Sequence, residues 1–147
     1  MKKLFFAFTV LILTAASAGA SDQADVMATV HQFIDGQPAT AIAACAQETS
    51  IIDEFPPYAW HGEGACARWS KDYAADMKKN GITGGVVTIG KPRHVDLAGD
   101  YAYVVVPASY RWKQNGKPMK ETGSTFTAAL QKTSAGWRIT AWSWSKQ

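Results

Sequence analysis

The chain has 147 residues, of which 47% are hydrophobic, and its 15 Lys and Arg residues stand against 12 Asp and Glu. This length suits one domain with one core, and the apolar content is too high for long disordered stretches. Without Lys2 and Lys3, which lie in the N-terminal segment described next, 13 basic and 12 acidic residues remain. A nearly neutral chain without a basic cluster is not expected to bind nucleic acid, because phosphate contacts need concentrated Lys and Arg.

Residues 1–20 have the pattern of a secretory signal. Lys2 and Lys3 form a positive start, residues 4–16 are uncharged and mainly apolar, and Ala18-Gly19-Ala20 matches the small-residue cleavage pattern. The apolar run is shorter than the roughly 20 residues that a membrane-spanning helix requires. We therefore expect cleavage before Ser21, a mature domain of residues 21–147 outside the membrane, and a periplasmic or secreted location.

Export affects how the two cysteines, Cys45 and Cys66, are interpreted. An even pair in an oxidising compartment favours a disulfide, and closing a loop of this size stabilises the fold by about 3 kcal/mol in the chain-entropy model. The alternative is two buried free thiols that pack as small hydrophobic groups. Two cysteines without clustered histidines make no zinc site, and we expect no metal and no cofactor.

Helical periodicity dominates the first half of the chain. Apolar residues recur on one helical face from Ser21 to Asp35, and shorter patterns predict helices over Ala39–Cys45 and Glu63–Asn80. Between the second and third helices, Ser50–Asp53 is a short β-prone segment. It ends before Pro56-Pro57, which cannot donate to a ladder of strands.

From Gly85 onward the apolar pattern changes to the alternation of strands. Four segments rich in β-branched and aromatic residues predict an antiparallel meander, and Gly90-Lys91-Pro92 is interpreted as a bulge or bend in its first strand. The fold class is therefore α+β, with three N-terminal helices packed on one face of a curved, mainly antiparallel sheet. The predicted strands are Val86–Ile89, Tyr101–Trp112, Thr122–Leu130 and Trp137–Trp144.

The order of these elements and one segment of the chain resemble the NTF2-like superfamily, also called SnoaL-like or ketosteroid-isomerase-like, whose members have a cone-shaped fold. The segment from Ser50 to Trp69 contains D-x-F-P-P, then W-H-G and a cysteine. It is similar to the strand–Asp–loop–Gly–helix segment of that superfamily, and to a subgroup of small exported proteins with no assigned activity. Gly136–Ile139 before a tryptophan-rich strand is also similar. The resemblance implies a pocket inside the cone.

Asp53 and His61 are the candidate catalytic residues. In ketosteroid-isomerase-like enzymes an Asp at the end of this short strand moves a proton on the substrate, and the resemblance implies that Asp53 holds that position. His61 could complete an acid–base pair, as in dehydratases of this fold. The enolate-stabilising donors of the isomerases are not found, because the first helix has no Tyr and the late strand around Thr125–Thr127 has no acid. Alternatively, Asp53 accepts backbone hydrogen bonds in the Pro-rich loop.

The aromatic residues have two possible roles, as ligand contacts or as core filling. We interpret the chain as an exported, non-catalytic domain that binds a small apolar or aromatic ligand in the cone, or as a dimeric assembly module. The alternative is a small isomerase or lyase that uses Asp53 as a general base with His61. The candidate ligand contacts are Phe33, Tyr58, Trp60, Trp69 and Tyr73.

The last predicted strand has large apolar residues on both of its faces. Strict alternation places Trp142 and Trp144 on one face and Trp137 and Ile139 on the other. One face must meet the helices, and large exposed apolar patches are rare on monomers. The pattern, together with the resemblance, therefore predicts a homodimer that forms through the sheet.

Overall fold

The computed structural model describes residues 15–147 and contains three helices and seven strands within that range. The helices are α1 (Ala15–Asp35), α2 (Pro38–Ala44) and α3 (Ala65–Lys79). The strands are β1 (Cys45–Ile52), β2 (Ala59–Trp60), β3 (Ile82–Ile89), β4 (His94–Ala98), β5 (Tyr101–Gln114), β6 (Lys117–Thr133) and β7 (Gly136–Ser145).

One sheet contains all seven strands. Its order is β2-β1-β7-β6-β5-β3, and β4 pairs with β5 as well. Every pairing is antiparallel except β1 with β7, which is parallel. The α+β class and the mainly antiparallel sheet are thus confirmed, while α3 follows the first two strands of the sheet.

The apolar face of α1 packs onto the inner face of the sheet. Val26, Val30 and Phe33 recur at helical spacing and are buried together with Phe126 of β6 and Ile139 of β7. Burial of each such side chain stabilises the fold by about 1.5–3 kcal/mol. This contact sets the distance between the helices and the sheet.

The predicted bend in the first strand of the meander is in fact a break between two strands. Strand pairing with β5 stops after Ile89 and resumes at His94. Because β5 has 14 residues, one of its edges can carry both short strands, β3 beside Ala108–Gln114 and β4 beside Tyr101–Val105. The segment between them still bonds to β5, since the Gly90 and Arg93 amides donate to its carbonyls at 2.9 and 2.8 Å.

A bulge in β7 overturns the predicted division of its tryptophans between two faces. Ala141 pairs with Ala129 and Ile139 pairs with Leu130, so Thr140 is an extra residue on β7. Side chains alternate along a strand, and one extra residue moves every following side chain to the opposite face. Trp142 and Trp144 therefore share the inner face with Trp137 and Ile139, and Trp142 is only 5% exposed.

The outer face of β7 is less apolar than the sequence predicted. The outer face of the sheet holds threonine and alanine side chains of β6 and β7, and its large exposed apolar residues lie on other strands, Tyr101 and Tyr103 on β5, Val86 on β3 and Ile52 on β1. Dimer formation through the sheet stays a prediction. The side chains that would carry it are these tyrosines, because Trp142 is in the core.

The disulfide prediction is confirmed. Cys45 and Cys66 are bonded to each other, and both residues are buried. The bond joins the start of β1 to the first turn of α3, just after Gly64, whose positive φ of 67° ends the loop between them. The loop that contains Asp53 is therefore closed at both of its ends.

The predicted signal segment lies mostly outside the described residues. Its expected cleavage site, Ala18-Gly19-Ala20, falls within α1. None of the helices in residues 15–147 is long and apolar enough to cross a membrane. Export and cleavage stay predictions.

Breaking the disulfide should lower stability. We expect reduction, or the double substitution Cys45→Ala with Cys66→Ala, to cost about 3 kcal/mol of unfolding free energy, because the unfolded chain regains the freedom of the closed loop. Urea denaturation with and without reductant measures this. The double variant is the control, since reductant should leave it unchanged, and equal stability of the oxidised and reduced wild type would contradict the prediction.

Self-association should depend on the outer face of β5. Light scattering is expected to give about twice the chain mass for the wild type and the monomer mass for Tyr103→Glu, because a charge in a dry interface is costly. Tyr58→Glu, at an exposed loop position, is the matched control and should leave the mass unchanged. A monomeric wild type at micromolar concentration would contradict the prediction.

Candidate functional site

A cavity of about 540 Å³ lies between the helices and the inner face of the sheet, and it is open to solvent. The elements that enclose it are α1, α2, α3, the loop after β1, and strands β3, β5, β6 and β7. Much of its wall consists of aromatic rings, which are Phe33, Phe55, Trp69, Tyr73, Tyr110, Phe126, Trp142 and Trp144.

These rings pack against one another in the wall and do not fill the cavity. Phe33 lies at the base of the cavity, with ring centroids of Trp69, Phe126 and Trp142 at 5.7, 5.8 and 5.2 Å. Trp69 stacks on Tyr73 at 5.4 Å. Such separations are typical of favourable aromatic pairs. The wall is therefore closely packed and mainly apolar.

Asp53 enters the cavity because it directly follows β1. In that strand Ile51 is buried and Ile52 is exposed, so the next side chain points inward again. One carboxylate oxygen accepts a hydrogen bond from the indole N–H of Trp69 at 2.8 Å, and the other accepts one from the backbone N–H of Glu54 at 2.7 Å. Asp53 thus lines the cavity and also caps the loop, which combines the two interpretations of the sequence.

Opposing effects set the pKa of the Asp53 carboxyl. Burial raises the pKa of its carboxyl from 3.8 to about 6, and the nearby Glu121 carboxylate adds to this rise. The hydrogen bond from Trp69 and the Lys146 ammonium lower the pKa. Asp53 is consequently still mostly ionised at pH 7, with a proton affinity close to that of histidine.

Two tyrosines present hydroxyl groups on another part of the wall. The hydroxyl oxygens of Tyr73 on α3 and Tyr110 on β5 are 2.9 Å apart, and Tyr110 also lies 3.6 Å from the sulfur of Met77. Burial raises the pKa of Tyr73 and of Tyr110, and the carboxylate of Asp53 raises that of Tyr73 further. Both hydroxyls are therefore neutral and can donate or accept a hydrogen bond.

Glu121 is an acid on the late strand that sequence analysis missed. The predicted strand began at Thr122, whereas β6 begins at Lys117, and Gly123 forms a bulge that places both Ser124 and Glu121 on the inner face. The Glu121 carboxylate accepts hydrogen bonds from the Ser124 hydroxyl and, at 2.9 Å, from the indole N–H of Trp144. The pattern of a glycine within an alternating strand could have indicated the bulge.

Three of the five predicted ligand contacts line the cavity, namely Phe33, Trp69 and Tyr73. Tyr58 is 57% exposed on the loop and does not line it. Trp60 is 4% exposed and belongs to the core, where its indole N–H donates to Asp72 at 2.8 Å. Trp60 therefore fills the core, which is the alternative interpretation of the aromatic residues.

The structure does not bring His61 to Asp53. Trp60 of β2 is buried, so the side chain of the next residue points away from the interior, and His61 is exposed. Its backbone carbonyl accepts a hydrogen bond from Arg68 at 2.6 Å. The acid–base pair that the sequence suggested is therefore not formed, and the polar groups that share the cavity with Asp53 are the two tyrosine hydroxyls.

No group of three or more His, Cys, Asp and Glu side chains in residues 15–147 is arranged to hold a metal ion. Of the charged groups at the cavity, Lys146 lies 2.9 Å from Glu54 and 4.0 Å from Glu121. The site as described is thus an apolar cavity with carboxylates, one ammonium and two phenol hydroxyls.

The architecture is shared with solved structures of low sequence identity. An NTF2-like superfamily protein from Salmonella enterica serovar Typhimurium superposes with a TM-score of 0.72 at 13% identity, over 87% of this chain and 92% of that one. A provisionally assigned dehydratase of the NTF2-like family from Streptomyces avermitilis gives 0.70 at 17%, over 88% and 98%. A ketosteroid isomerase-like protein from Erwinia carotovora atroseptica gives 0.63 at 17%, over 86% and 94%.

No protein-family model matches the chain, and no curated protein matches its sequence. Identities this low carry the fold and not the activity. The chain therefore has the NTF2-like fold, as its sequence predicted, and its function must be argued from the cavity itself.

The raised pKa of Asp53 predicts a specific dependence of stability on pH. The folded pKa of about 6 exceeds the unfolded value of 3.8, so the folded state holds the proton more tightly and the wild type loses stability as pH rises from about 4 to about 6. Asp53→Asn has no such group. We expect its stability relative to the wild type to increase by about 1–3 kcal/mol between pH 4 and pH 7.

Urea denaturation at several pH values measures this difference, and NMR titration of the Asp53 carboxyl carbon measures the pKa directly. Asp96→Asn, at an exposed position of β4, is the control and should show no such trend. An Asp53 titration midpoint near 4 would contradict the prediction.

Proposed function

From the NTF2-like fold and its aromatic cavity, we propose that this protein binds a small, mainly apolar or aromatic molecule between its helices and its sheet. The observation that carries the proposal is the open cavity of about 540 Å³ with eight aromatic residues in its wall. Ligand pockets commonly have volumes of about 300–1,000 Å³, and this cavity falls within that range.

The energetic argument is that some rings of the wall keep accessible surface although they pack against other rings. Tyr110 is only half-buried, and Trp69 and Tyr73 are partly exposed at the cavity although they belong to stacked pairs. Covering apolar surface stabilises a complex by about 25 cal/mol per Å². A flat apolar ligand would cover this surface while the wall stays in place, so little ordering is needed on binding.

The polar groups of the cavity are few and held in position, which suits the orientation of a ligand. Trp69 and the Glu54 amide hold the Asp53 carboxylate, and the hydroxyl groups of Tyr73 and Tyr110 hold each other. A small number of fixed polar groups in an apolar wall is the usual arrangement of a selective binding site. This supports recognition of a molecule that carries one polar group.

A small isomerase or lyase is the second candidate function, and one observation favours it. Asp53 has a pKa near that of an effective general base, and it shares an open cavity with two phenol hydroxyls that can donate hydrogen bonds. Tyr73 and Tyr110 would thus take the role that the sequence assigned to His61. The two functions differ in whether the ligand leaves the cavity chemically changed.

The proposal also includes export and self-association. The N-terminal signal pattern and the disulfide between Cys45 and Cys66 support a periplasmic or secreted location, because disulfides persist in oxidising compartments. The exposed tyrosines on the outer face of β5 support a homodimer, which would leave the cavity on the inner face accessible.

Ligand binding can be tested with N-phenyl-1-naphthylamine, a neutral dye that fluoresces in apolar sites. We expect saturable binding to the wild type, and at least tenfold weaker binding to Ser70→Phe and to Val87→Phe, which add a ring to the cavity from α3 and from β3. Ala74→Phe is the matched control, since Ala74 is exposed on α3 and does not line the cavity. Fluorescence titration gives the affinities.

Equal binding to all four proteins, or no binding to the wild type, would contradict the proposal. Circular dichroism shows whether the variants remain folded. Native mass spectrometry of protein isolated from its own host then identifies the retained molecule and reports the oligomeric state in the same measurement.

A further inference from the structure

We propose that the natural ligand is an organic cation, an ammonium or quaternary ammonium group on an apolar or aromatic body. This inference rests on the proposed function, because it concerns the ligand of the same cavity. It follows from the charges of the wall and from the aromatic rings that surround them.

The cavity wall carries more acidic than basic groups. Asp53, Glu54 and Asp76 line it, whereas Lys146 is the single basic residue that residues 15–147 contribute to it. Lys146 is already 2.9 Å from Glu54 and 4.0 Å from Glu121, which lies just behind the wall. In the described part of the chain no Lys or Arg lies within ion-pair distance of Asp53 or Asp76. Neither aspartate therefore forms an ion pair, although the more distant Lys146 ammonium still acts on Asp53.

Aromatic rings complete a site suited to a cation. A ring face is negative because of its quadrupole, and aromatic residues around a quaternary ammonium bind it strongly when water is excluded. Trp69 joins both features, since its ring stacks on Tyr73 while its N–H holds the Asp53 carboxylate at 2.8 Å. A cation over these rings would thus lie close to a fixed negative charge.

The titration of the wall is consistent with a negative potential. The pKa of Tyr73 is raised by burial, by its hydroxyl partner Tyr110, and by the charges of Asp53 and Asp76. The pKa of Tyr110 is raised by burial and by the charge of Glu121, against the hydrogen bond from Tyr73. Negative charge added here is disfavoured, so an anionic ligand would face repulsion that a cationic one would not.

One buried donor in the cavity wall has no acceptor among the described residues. Trp142 lines the cavity and is 5% exposed, and its indole N–H has no acceptor in the described part of the chain. A buried donor without a partner raises the free energy of the folded state. Trp112 and Trp137 have the same unpartnered indole N–H without lining the cavity, so the inference depends on the charges and the ring faces and not on this donor.

The test compares two molecules of almost identical shape, benzyltrimethylammonium and neopentylbenzene, which differ by a positive nitrogen in place of a carbon. Each is titrated against the wild-type protein with N-phenyl-1-naphthylamine bound, and 3-phenylpropanoate serves as the anionic probe. We expect the cation to displace the dye at a concentration at least tenfold lower than the neutral isostere, and the anion to displace it least.

Two variants identify the groups responsible. Asp53→Asn and Asp76→Asn should each weaken binding of the cation about tenfold and change binding of the neutral isostere less than twofold, because only the charge is removed. Asp96→Asn, exposed on β4, is the control and should change neither. Since dye binding is measured for every variant, a misfolded protein is recognised at once.

The outcomes separate this inference from the proposed function. If the dye binds and the neutral isostere or the anion displaces it as well as the cation does, the inference of a cationic ligand is overturned. The proposal of ligand binding is then still supported. If the wild type binds neither the dye nor any probe, the proposed function fails and the cation inference fails with it. Preference for the cation that both aspartate variants abolish supports the inference.

Discussion

The arrangement of the cavity depends on two extra residues in the sheet. Side chains alternate strictly along a strand, and each bulge reverses that alternation for everything beyond it. The bulge at Thr140 moves Trp142 and Trp144 to the inner face, and the bulge at Gly123 places Glu121 on the same face as Ser124. Without them the two tryptophans would face solvent and the cavity would lose part of its wall.

The loop after β1 is the second part of the site, and it is held at several points. The disulfide joins Cys45 to Cys66 around it, and the indole N–H of Trp69 reaches across to Asp53. These contacts keep a carboxylate in a half-buried position where its ionised form is disfavoured by burial and favoured by hydrogen bonds. Because these effects oppose each other, the pKa of Asp53 is about 6, and small changes in its surroundings alter its charge near neutral pH.

The NTF2-like fold is compatible with several functions, as the solved structures of similar shape include proteins named for isomerase-like and dehydratase chemistry. The features of this chain that bear on its function are the groups inside its cavity. It has an Asp at the end of β1 and phenol hydroxyls from α3 and β5, while His61 lies outside. Eight rings and an excess of carboxylates favour recognition of a ligand, and they suit a positively charged one.

Local patterns in the sequence determined the helices and most of the strands, because helical spacing, alternation and turn residues act over a few neighbours. The disulfide was predicted from the even cysteine pair and the export signal, and the position of Asp53 was implied by the resemblance to the NTF2-like superfamily. Only the tertiary structure decided which of the aromatic side chains line the cavity. Trp60 and Tyr58 differ from Trp69 through their places in the β1–β2 hairpin, and Glu121 entered the interior through a bulge. Such outcomes depend on pairing between strands that are distant in sequence, where one extra residue changes the face of every residue after it.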